Sequence, residues 1–123
     1  MPSADPAACV KRYLELLAAD ASADEIAALY AEDAAIEDPV GSDVRRGRDA
    51  IREFYAAIEN VEKHTELLGL KAVGNQAAFF WALTVKMGDG GTRVDPISVM
   101  TFDDDGRITS MRAFWSSADI TVL

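Results

Sequence analysis

Two carboxylates stand side by side where an apolar stretch meets a turn, in the segment "IEDPVGS" at residues 36–42. In an extended strand, successive side chains point to opposite faces, so Asp38 shares a face with Ile36 while Glu37 points the other way. The proline after Asp38 favours this extended conformation. If Ile36 packs inward, Asp38 faces an apolar environment, where a carboxylate can act as a general base. The alternative is an aspartate that only forms the turn.

The tyrosines are the second group that could do chemistry. Tyr13, Tyr30 and Tyr55 are the only three in the chain, and each falls in the apolar stripe of a different predicted helix. A buried phenol needs a hydrogen-bond partner. Three hydroxyls directed inward therefore predict a shared network that could donate to a bound oxygen. The alternative is that each ring is half buried with its hydroxyl in solvent.

Strand-like segments in the second half of the chain supply apolar walls. Period-two alternation in "AFFWALTV" predicts one face that carries Phe79, Trp81, Leu83 and Val85. In "SMRAFWSS", the predicted inner face carries Met111, Ala113 and Trp115, because Arg112 on the other face needs solvent or a partner. In "PISVMTF", Ser98 is a single hydroxyl on the apolar face of Met100 and Phe102. Its alternative role is a local hydrogen bond to backbone.

The elements that must position these residues follow from hydrophobic spacing. The segments "AACVKRYLELLAA", "SADEIAALYAED" and "GRDAIREFYAAIENV" place apolar residues three and four apart, which predicts three helices. Ser22 and Glu25 have the spacing of a capping box at the start of the second helix. From residue 65 onward, segments separated by turns predict about four antiparallel strands. We therefore expect a single α+β domain over residues 1–123, with three N-terminal helices packed on a sheet.

The overall charge limits the partners. The chain has 123 residues, of which 12 are basic and 21 acidic, and its formal net charge is −9. Such a chain repels phosphate backbones, so we expect no nucleic acid and no membrane partner. No apolar run approaches the roughly 18–20 residues that span a bilayer. The start "MPSADPAACV" lacks the basic and long apolar segments of a signal peptide.

Cysteine and histidine are scarce, since Cys9 and His64 are the only residues of their types. One cysteine cannot form an intrachain disulfide, which fits a reducing, cytoplasmic location. A metal site of the usual His and Cys type has almost no ligands to draw on. A Ser-His-Asp triad would depend entirely on His64, which lies in the polar stretch "VEKHTE". We therefore expect neither a metal nor a nucleophilic triad.

Longer segments resemble a known family. The stretches "RYLELLAADASADEIAALYAEDAAIEDPVGS", "GRDAIREFYA" and "DPISVMTFDDDGRITSMRAFWS" are similar to the bacterial Δ5-3-ketosteroid isomerases, over about residues 8–120. Tyr13, Tyr30, "EDPVG" and the "FY" pair at 54–55 carry the resemblance most specifically. The family belongs to the nuclear-transport-factor-2-like, or SnoaL-like, superfamily. The resemblance implies an α+β fold in which helices wrap a curved, mixed or antiparallel sheet into a cone.

The resemblance implies a role for each site residue. Asp38 would be the general base, which takes a proton from the carbon between a ketone and an isolated double bond and returns it two carbons further along. Tyr13 would donate a hydrogen bond to the ketone oxygen, with Tyr55 as its direct partner and Tyr30 behind Tyr55. The slot for the steroid rings would be lined by Trp115, Met111, Phe54 and Trp81.

The resemblance also implies partners, and it shows one departure. The substrate would be a Δ5-3-ketosteroid, no cofactor or metal would be needed, and the protein would be a homodimer. The family's second donor to the ketone oxygen is a protonated Asp, and Ser98 stands at that position here. A serine hydroxyl is neutral without any pKa shift, but it is a weaker donor. Two alternatives stay open: another enzyme of the superfamily, such as a cyclase, dehydratase or epoxide hydrolase, and a non-catalytic steroid or lipid carrier.

Overall fold

The computed structural model describes residues 5–19 and 22–123, and this part of the chain contains the three predicted helices. They are α1 (Pro6–Ala18), α2 (Ala23–Ala27) and α3 (Arg48–Ala56). The Asp5 carboxylate caps α1 by accepting from two backbone N–H groups. Ser22 caps α2, and its hydroxyl accepts from the Glu25 N–H at 3.2 Å, as the spacing predicted. Residues 1–4, part of the segment tested as a signal peptide, lie outside the described residues.

Eight strands form one sheet within the described residues. They are β1 (Tyr30–Glu37), β2 (Arg45–Arg46), β3 (Lys63–Val73), β4 (Gln76–Met87), β5 (Gly90–Val94), β6 (Ile97–Phe102), β7 (Ile108–Phe114) and β8 (Ile120–Val122). Neighbouring strands run in the order β2-β1-β7-β6-β4-β5-β8, and β3 also pairs with β4. The β1–β7 pair is parallel and the other pairs are antiparallel. A short 3-10 helix, Ser117–Asp119, precedes β8.

The sheet has eight strands, whereas about four antiparallel strands were predicted, and the prediction lacked the short strands β2 and β8. The segment "TRVDPISVMTF" forms two strands, β5 and β6, because Pro96 has no backbone N–H with which to continue the ladder. Strand β4 pairs with β6 along its first half and with β5 along its second half. Strand β1 joins the same sheet beside β7, although the two are far apart in sequence. The result is an open, curved sheet with three helices, which confirms the predicted α+β class.

Alternation along the strands separates an inner from an outer face, as predicted. Phe79 and Trp81 of β4 are buried, whereas Phe80 between them is 42% exposed. Ser98 of β6 is buried and its neighbour Ile97 is exposed. Helix α1 packs on β3, and α3 packs on α2 and β1. The helices therefore cover the inner face, where the core and the predicted site residues lie.

Tyr30 is not helical, contrary to the prediction. Helix α2 ends at Ala27, and Tyr30 is the first residue of β1. Tyr30 pairs with Ile108 of β7, and the Ile108 N–H donates to the Leu29 carbonyl at 2.9 Å. These contacts draw the segment into the sheet and override its helical spacing. The predicted burial is confirmed, because Tyr30 is fully buried.

Candidate active site

An apolar cavity of about 160 Å³ lies between the helices and the inner face of the sheet. The predicted site residues that line it are Tyr13, Asp38, Phe54, Tyr55, Trp81 and Trp115. Among the described residues that line this cavity, Asp38 carries the only charged side chain. The fold therefore brings one carboxylate and two phenols to one apolar space.

Asp38 lies directly after the end of β1 and faces the cavity. Its Oδ1 accepts a hydrogen bond from the indole N–H of Trp115 at 2.6 Å. Burial in the apolar cavity raises the pKa of Asp38 above its ordinary value, while the Trp115 bond and the positive charge of Arg45 oppose the rise. Asp38 is thus a carboxylate partly removed from water and held by one charge-assisted donor. These are properties that suit a general base.

Glu37 points away from the cavity. Its carboxylate accepts from the Arg112 Nε–H at 3.0 Å and from the Gly41 N–H at 3.0 Å. The bond from Gly41 and then the bond from Arg112 lower the pKa of Glu37. The predicted separation of the two adjacent carboxylates is confirmed, since one lines the cavity and the other forms an ion pair outside it.

The three tyrosines form one hydrogen-bonded chain. The Tyr55 hydroxyl lies 3.0 Å from that of Tyr13 and 2.6 Å from that of Tyr30. Helix α1 supplies Tyr13, α3 supplies Tyr55 and β1 supplies Tyr30, and all three are buried. This is the order that the resemblance implies. Tyr13 and Tyr55 line the cavity, and Tyr30 lies behind them.

Burial keeps these phenols protonated. It raises the pKa of Tyr13, Tyr30 and Tyr55 above the ordinary tyrosine value, because a phenolate would lose its hydration in this surrounding. When Tyr30 donates to Tyr55 and Tyr55 donates to Tyr13, the Tyr13 proton remains free to point into the cavity. The network can therefore present a hydrogen-bond donor to an oxygen bound there.

Ser98 and Met111 are not among the residues that line the cavity. Ser98 is buried, and its Oγ accepts from the indole N–H of Trp81 at 3.0 Å. Met111 is on the predicted inner face, but it pairs with Met100 in the core, and only the Ala113 end of β7 reaches the cavity. The role of Ser98 as a second donor and the role of Met111 in the slot both stay predictions.

Four lining residues were not predicted from the sequence: Leu17, Ile58, Val94 and Pro96. Leu83 and Ala113 were predicted on apolar wall faces but were not assigned to the slot. Spacing could have identified most of these residues. Leu17 lies one helical turn after Tyr13, and Leu83 shares a strand face with Trp81. Val94 and Pro96 come from the break between β5 and β6, which alternation along a single strand does not reveal.

The remaining titratable candidates lie elsewhere. His64 is exposed and contacts Glu62 at 2.9 Å, and the Cys9 thiol is free and half buried, where burial raises its pKa. Within the described residues, no group of three or more His, Cys, Asp and Glu side chains is arranged to hold a metal ion. In residues 5–19 and 22–123, no helix is both long and apolar enough to cross a membrane.

Known proteins share both the sequence and the fold. A curated protein of Nocardioides simplex, named steroid Delta-isomerase, is 53% identical over 120 residues, which cover 98% of this chain and 97% of that protein. The structure of SalBIII, described as an epoxide hydrolase/cyclase-like enzyme in pyran ring formation in salinomycin, is 31% identical. It has a TM-score of 0.87 and covers 96% of this chain and 95% of its own.

The fold recurs at lower identity. The structure of Rv0760c from Mycobacterium tuberculosis has a TM-score of 0.88 at 19% identity, with both chains fully covered. Residues 10–111 match the SnoaL-like domain, which is most of the chain. The chain therefore belongs to the SnoaL-like domain family.

Proposed function

We propose that this protein is a steroid Δ-isomerase, which converts a β,γ-unsaturated 3-ketosteroid into its conjugated isomer. The observation that carries the proposal is the placement of the Asp38 carboxylate and the Tyr13 phenol in the wall of one apolar cavity. The steroid Delta-isomerase that is 53% identical over almost the whole chain supports it. The reaction needs a base, a donor for a developing oxyanion and an apolar slot. The proposal assigns the first two roles to Asp38 and Tyr13, and the apolar lining of the cavity supports the third.

Asp38 acts as the base in this proposal. Its carboxylate takes a proton from the carbon between the ketone and the double bond, and the electron pair of that C–H bond moves into a dienolate. The carboxylic acid then returns the same proton two carbons further along, which restores the carboxylate and leaves the double bond conjugated with the ketone. General base catalysis of this kind contributes about 10²–10⁴ in rate.

Tyr13 stabilises the negative charge that develops on the ketone oxygen. One preorganised donor to an oxyanion is worth about 10²–10³ in rate, or roughly 2.7–4 kcal/mol. Tyr55 and Tyr30 extend the donor into a chain, in which each hydrogen bond polarises the next. Ser98 has a supporting role, because its Oγ holds the indole of Trp81, which forms part of the cavity wall.

The test compares Asp38→Asn with its neighbour Glu37→Gln. Turnover of 5-androstenedione is followed by the absorbance of the conjugated product, and steroid binding is measured by calorimetry. Asp38→Asn is expected to lose at least about 10²-fold in kcat while it still binds steroid. Glu37→Gln, outside the cavity, is expected to keep near-normal turnover. Near-normal turnover by Asp38→Asn would overturn the assignment, and binding without turnover by the wild type would favour a carrier.

Stability provides the control for folding. Because burial raises the pKa of Asp38, the folded state holds more protons than the unfolded state between the two pKa values. The free energy of unfolding therefore falls as pH rises through that window, and above it the ionised carboxylate destabilises the fold. Asp38→Asn removes this charge, so its urea midpoint at neutral pH is expected to be at least that of the wild type. A loss of activity in that variant then reports on the base.

We also propose a cytoplasmic homodimer that associates through the outer face of the sheet. Phe80, Ile97 and Phe114 lie side by side across β4, β6 and β7 and are 42%, 49% and 43% exposed. Three large apolar side chains in one row favour association with a second copy. The free Cys9 thiol fits a reducing compartment. Sedimentation of the wild type as a dimer and of Ile97→Lys as a monomer is expected; a monomeric wild type would contradict the dimer.

A further inference from the structure

Two adjacent arginines, Arg45 and Arg46, form strand β2 and face opposite sides of the sheet. Arg45 pairs with Ile36 of β1, and Arg46 pairs with Ala35. Directly paired residues share a face, so Arg45 lies on the inner side with the buried Ile36. Arg46 lines a surface groove with Glu37 on the outer side. Arg45 thus places its positive charge on the cavity side of the sheet, and Arg46 places an equal charge on the opposite side.

The guanidinium of Arg45 rests on a wall of the cavity. Its central carbon lies 5.2 Å from the centre of the Phe54 ring, within the range of a cation–π contact. Phe54 and Asp38 both line the cavity. Arg52, Arg93 and Arg112 each pair with a carboxylate, whereas none of the ion pairs within the described residues includes Arg45. Among the described carboxylates, none lies within ion-pairing distance of the Arg45 guanidinium.

We propose that Arg45 is a positioning residue for the base: held on the Phe54 ring, its guanidinium supplies the positive field that keeps the Asp38 carboxylate ionised in the apolar cavity. The inference rests on the proposed isomerase function, since it assigns Arg45 to the base of that reaction. Electrostatics support it, because the charge of Arg45 lowers the pKa of Asp38 against the effect of burial. Arg45 acts through Asp38 and is not among the residues that line the cavity.

The other groups around Asp38 do not supply this charge. Trp115, after β7, offers a neutral N–H, and the phenols from α1, α3 and β1 are neutral. On the outer face Glu37 and Arg112 pair with each other, and at the rim between β5 and β6 Arg93 pairs with Asp95. Among the described cations, Arg45 is thus the one whose charge is a cause of the pKa shift of Asp38.

This placement suits a base that must be ionised and yet strong. Burial alone favours the neutral carboxylic acid, which cannot accept a proton. A direct ion pair would favour the carboxylate strongly but would weaken it as a base. Arg45 is exposed to solvent, so its field is moderate and is screened by salt. Because the field is moderate, Arg45 lowers the pKa of Asp38 only modestly, and the equal loss of basicity is modest as well.

The test compares Arg45→Met with Arg46→Met, which removes the same charge on the opposite face, and with Arg45→Lys, which keeps the charge. The pH profile of kcat/KM with a β,γ-unsaturated 3-ketosteroid is measured at low ionic strength. Arg45→Met is expected to shift the acidic limb to higher pH, with a loss of about 1.5- to 5-fold on that limb, as for an exposed ion pair of 0.2–1 kcal/mol. Arg46→Met is expected to leave the acidic limb where it is in the wild type. Arg45→Lys is expected to show only a small part of the shift, because it keeps the positive charge.

Salt gives a second readout. Raising the ionic strength from about 0.01 to 1 M shortens the Debye length from about 30 to 3 Å. The acidic limb of the wild type should then move toward that of Arg45→Met, whose own limb should stay in place. An equal loss of kcat/KM at every pH would mean that Arg45 only shapes the wall, and would overturn the proposal. Equal shifts in Arg45→Met and Arg46→Met would also overturn it, since net charge would then be the cause.

A direct titration separates this inference from the proposed function. The carboxyl carbon of Asp38 is followed by 13C NMR in the protein without steroid, and Asp38→Asn assigns the signal. A higher midpoint in Arg45→Met than in Arg46→Met supports the inference even if the wild type converts no steroid. The same midpoint in both variants overturns it even if the wild type is an active isomerase.

Discussion

The cavity has two walls with different electrostatic character. The wall that carries Asp38 holds a carboxyl group whose charged form is favoured by the Trp115 N–H and by the positive charge of Arg45. The wall that carries Tyr13 and Tyr55 is neutral, because burial raises the pKa of both phenols. In the proposed reaction, negative charge leaves the first wall as Asp38 takes a proton and develops at the second wall on the ketone oxygen.

The comparison shows that burial has a different use on each wall. On the first wall burial raises the pKa of Asp38, while the Trp115 N–H and the charge of Arg45 favour its carboxylate form; in the proposed reaction, a raised pKa makes Asp38 a stronger base. On the second wall burial keeps protons on the phenols, so that they remain donors. Changes to the tyrosine wall should therefore lower the rate at every pH. Changes to the Asp38 wall should shift the dependence on pH.

The largest effect is expected for Tyr13→Phe. The change removes the donor nearest the developing oxyanion and keeps the ring, so kcat should fall by about 10²–10³ at every pH. The acidic limb of the pH profile should stay in place, because the carboxylate of Asp38 keeps its donor Trp115. Steady-state kinetics across the pH range measure both. Tyr30→Phe, at the far end of the hydrogen-bonded chain of tyrosines, is the matched control, and its kcat should fall much less.

A loss below about tenfold in Tyr13→Phe would contradict the assignment of the oxyanion donor. A shift of the acidic limb in that variant would show that the Tyr13 phenol also affects the ionisation of Asp38. The two walls would then not act independently.

Local pattern was enough to predict much of the site. Alternation in "IEDPVGS" separated Asp38 from Glu37, and the structure confirms that separation. Helical spacing placed Tyr13 and Tyr55 on buried faces, and both are buried. For Tyr30, the predicted burial is confirmed, but the predicted helix is wrong, because the residue lies in β1. The spacing of apolar residues shows which side of a segment is buried. The segment at Tyr30 is a strand and not a helix because β1 pairs with β7.

The contacts that tune the site could not be predicted from local pattern. The Trp115 donor reaches Asp38 across 77 residues of sequence, and the Trp81 bond to Ser98 joins two strands. Both depend on the register between strands that are distant in sequence, which is a tertiary feature. The cation–π contact of Arg45 depends likewise on the pairing of a two-residue strand with β1. Family resemblance supplied roles for the residues, and only the fold supplied these partners.

The second-largest effect is expected on the Asp38 wall of the cavity, for Trp115→Phe. Trp115→Phe keeps a ring in the cavity but removes the N–H that donates to Asp38 at 2.6 Å. A hydrogen bond to a charged group is worth about 1.5–3 kcal/mol. Because the donor stabilises the carboxylate, its loss should raise the pKa of Asp38 and move the acidic limb of kcat/KM to higher pH. Salt should not reproduce this shift, in contrast to that of Arg45→Met.

The measurement is the pH profile of Trp115→Phe at low and high ionic strength. A rate that falls equally at every pH, with the limb in place, would show that the indole serves only as a wall for the steroid. Of the two groups, Arg45 alone would then influence the ionisation of Asp38.

The smallest effect on rate is expected for Ser98→Ala, and a double-mutant cycle shows why. Ser98 Oγ accepts the Trp81 N–H and does not line the cavity. Its loss leaves a buried N–H without a partner, which should lower the free energy of unfolding by about 1–3 kcal/mol. The rate should fall far less than in Tyr13→Phe.

If Ser98 acts through Trp81, then Ser98→Ala should cost little in a Trp81→Phe background, where no indole N–H is left to satisfy. Urea unfolding and kcat, measured on the two single variants and the double variant, give the coupling. A fall in kcat of about 10²-fold in both backgrounds would instead make Ser98 a direct donor to the oxyanion. The neutral wall would then have two donors, and the charge that it receives would be shared between Tyr13 and Ser98.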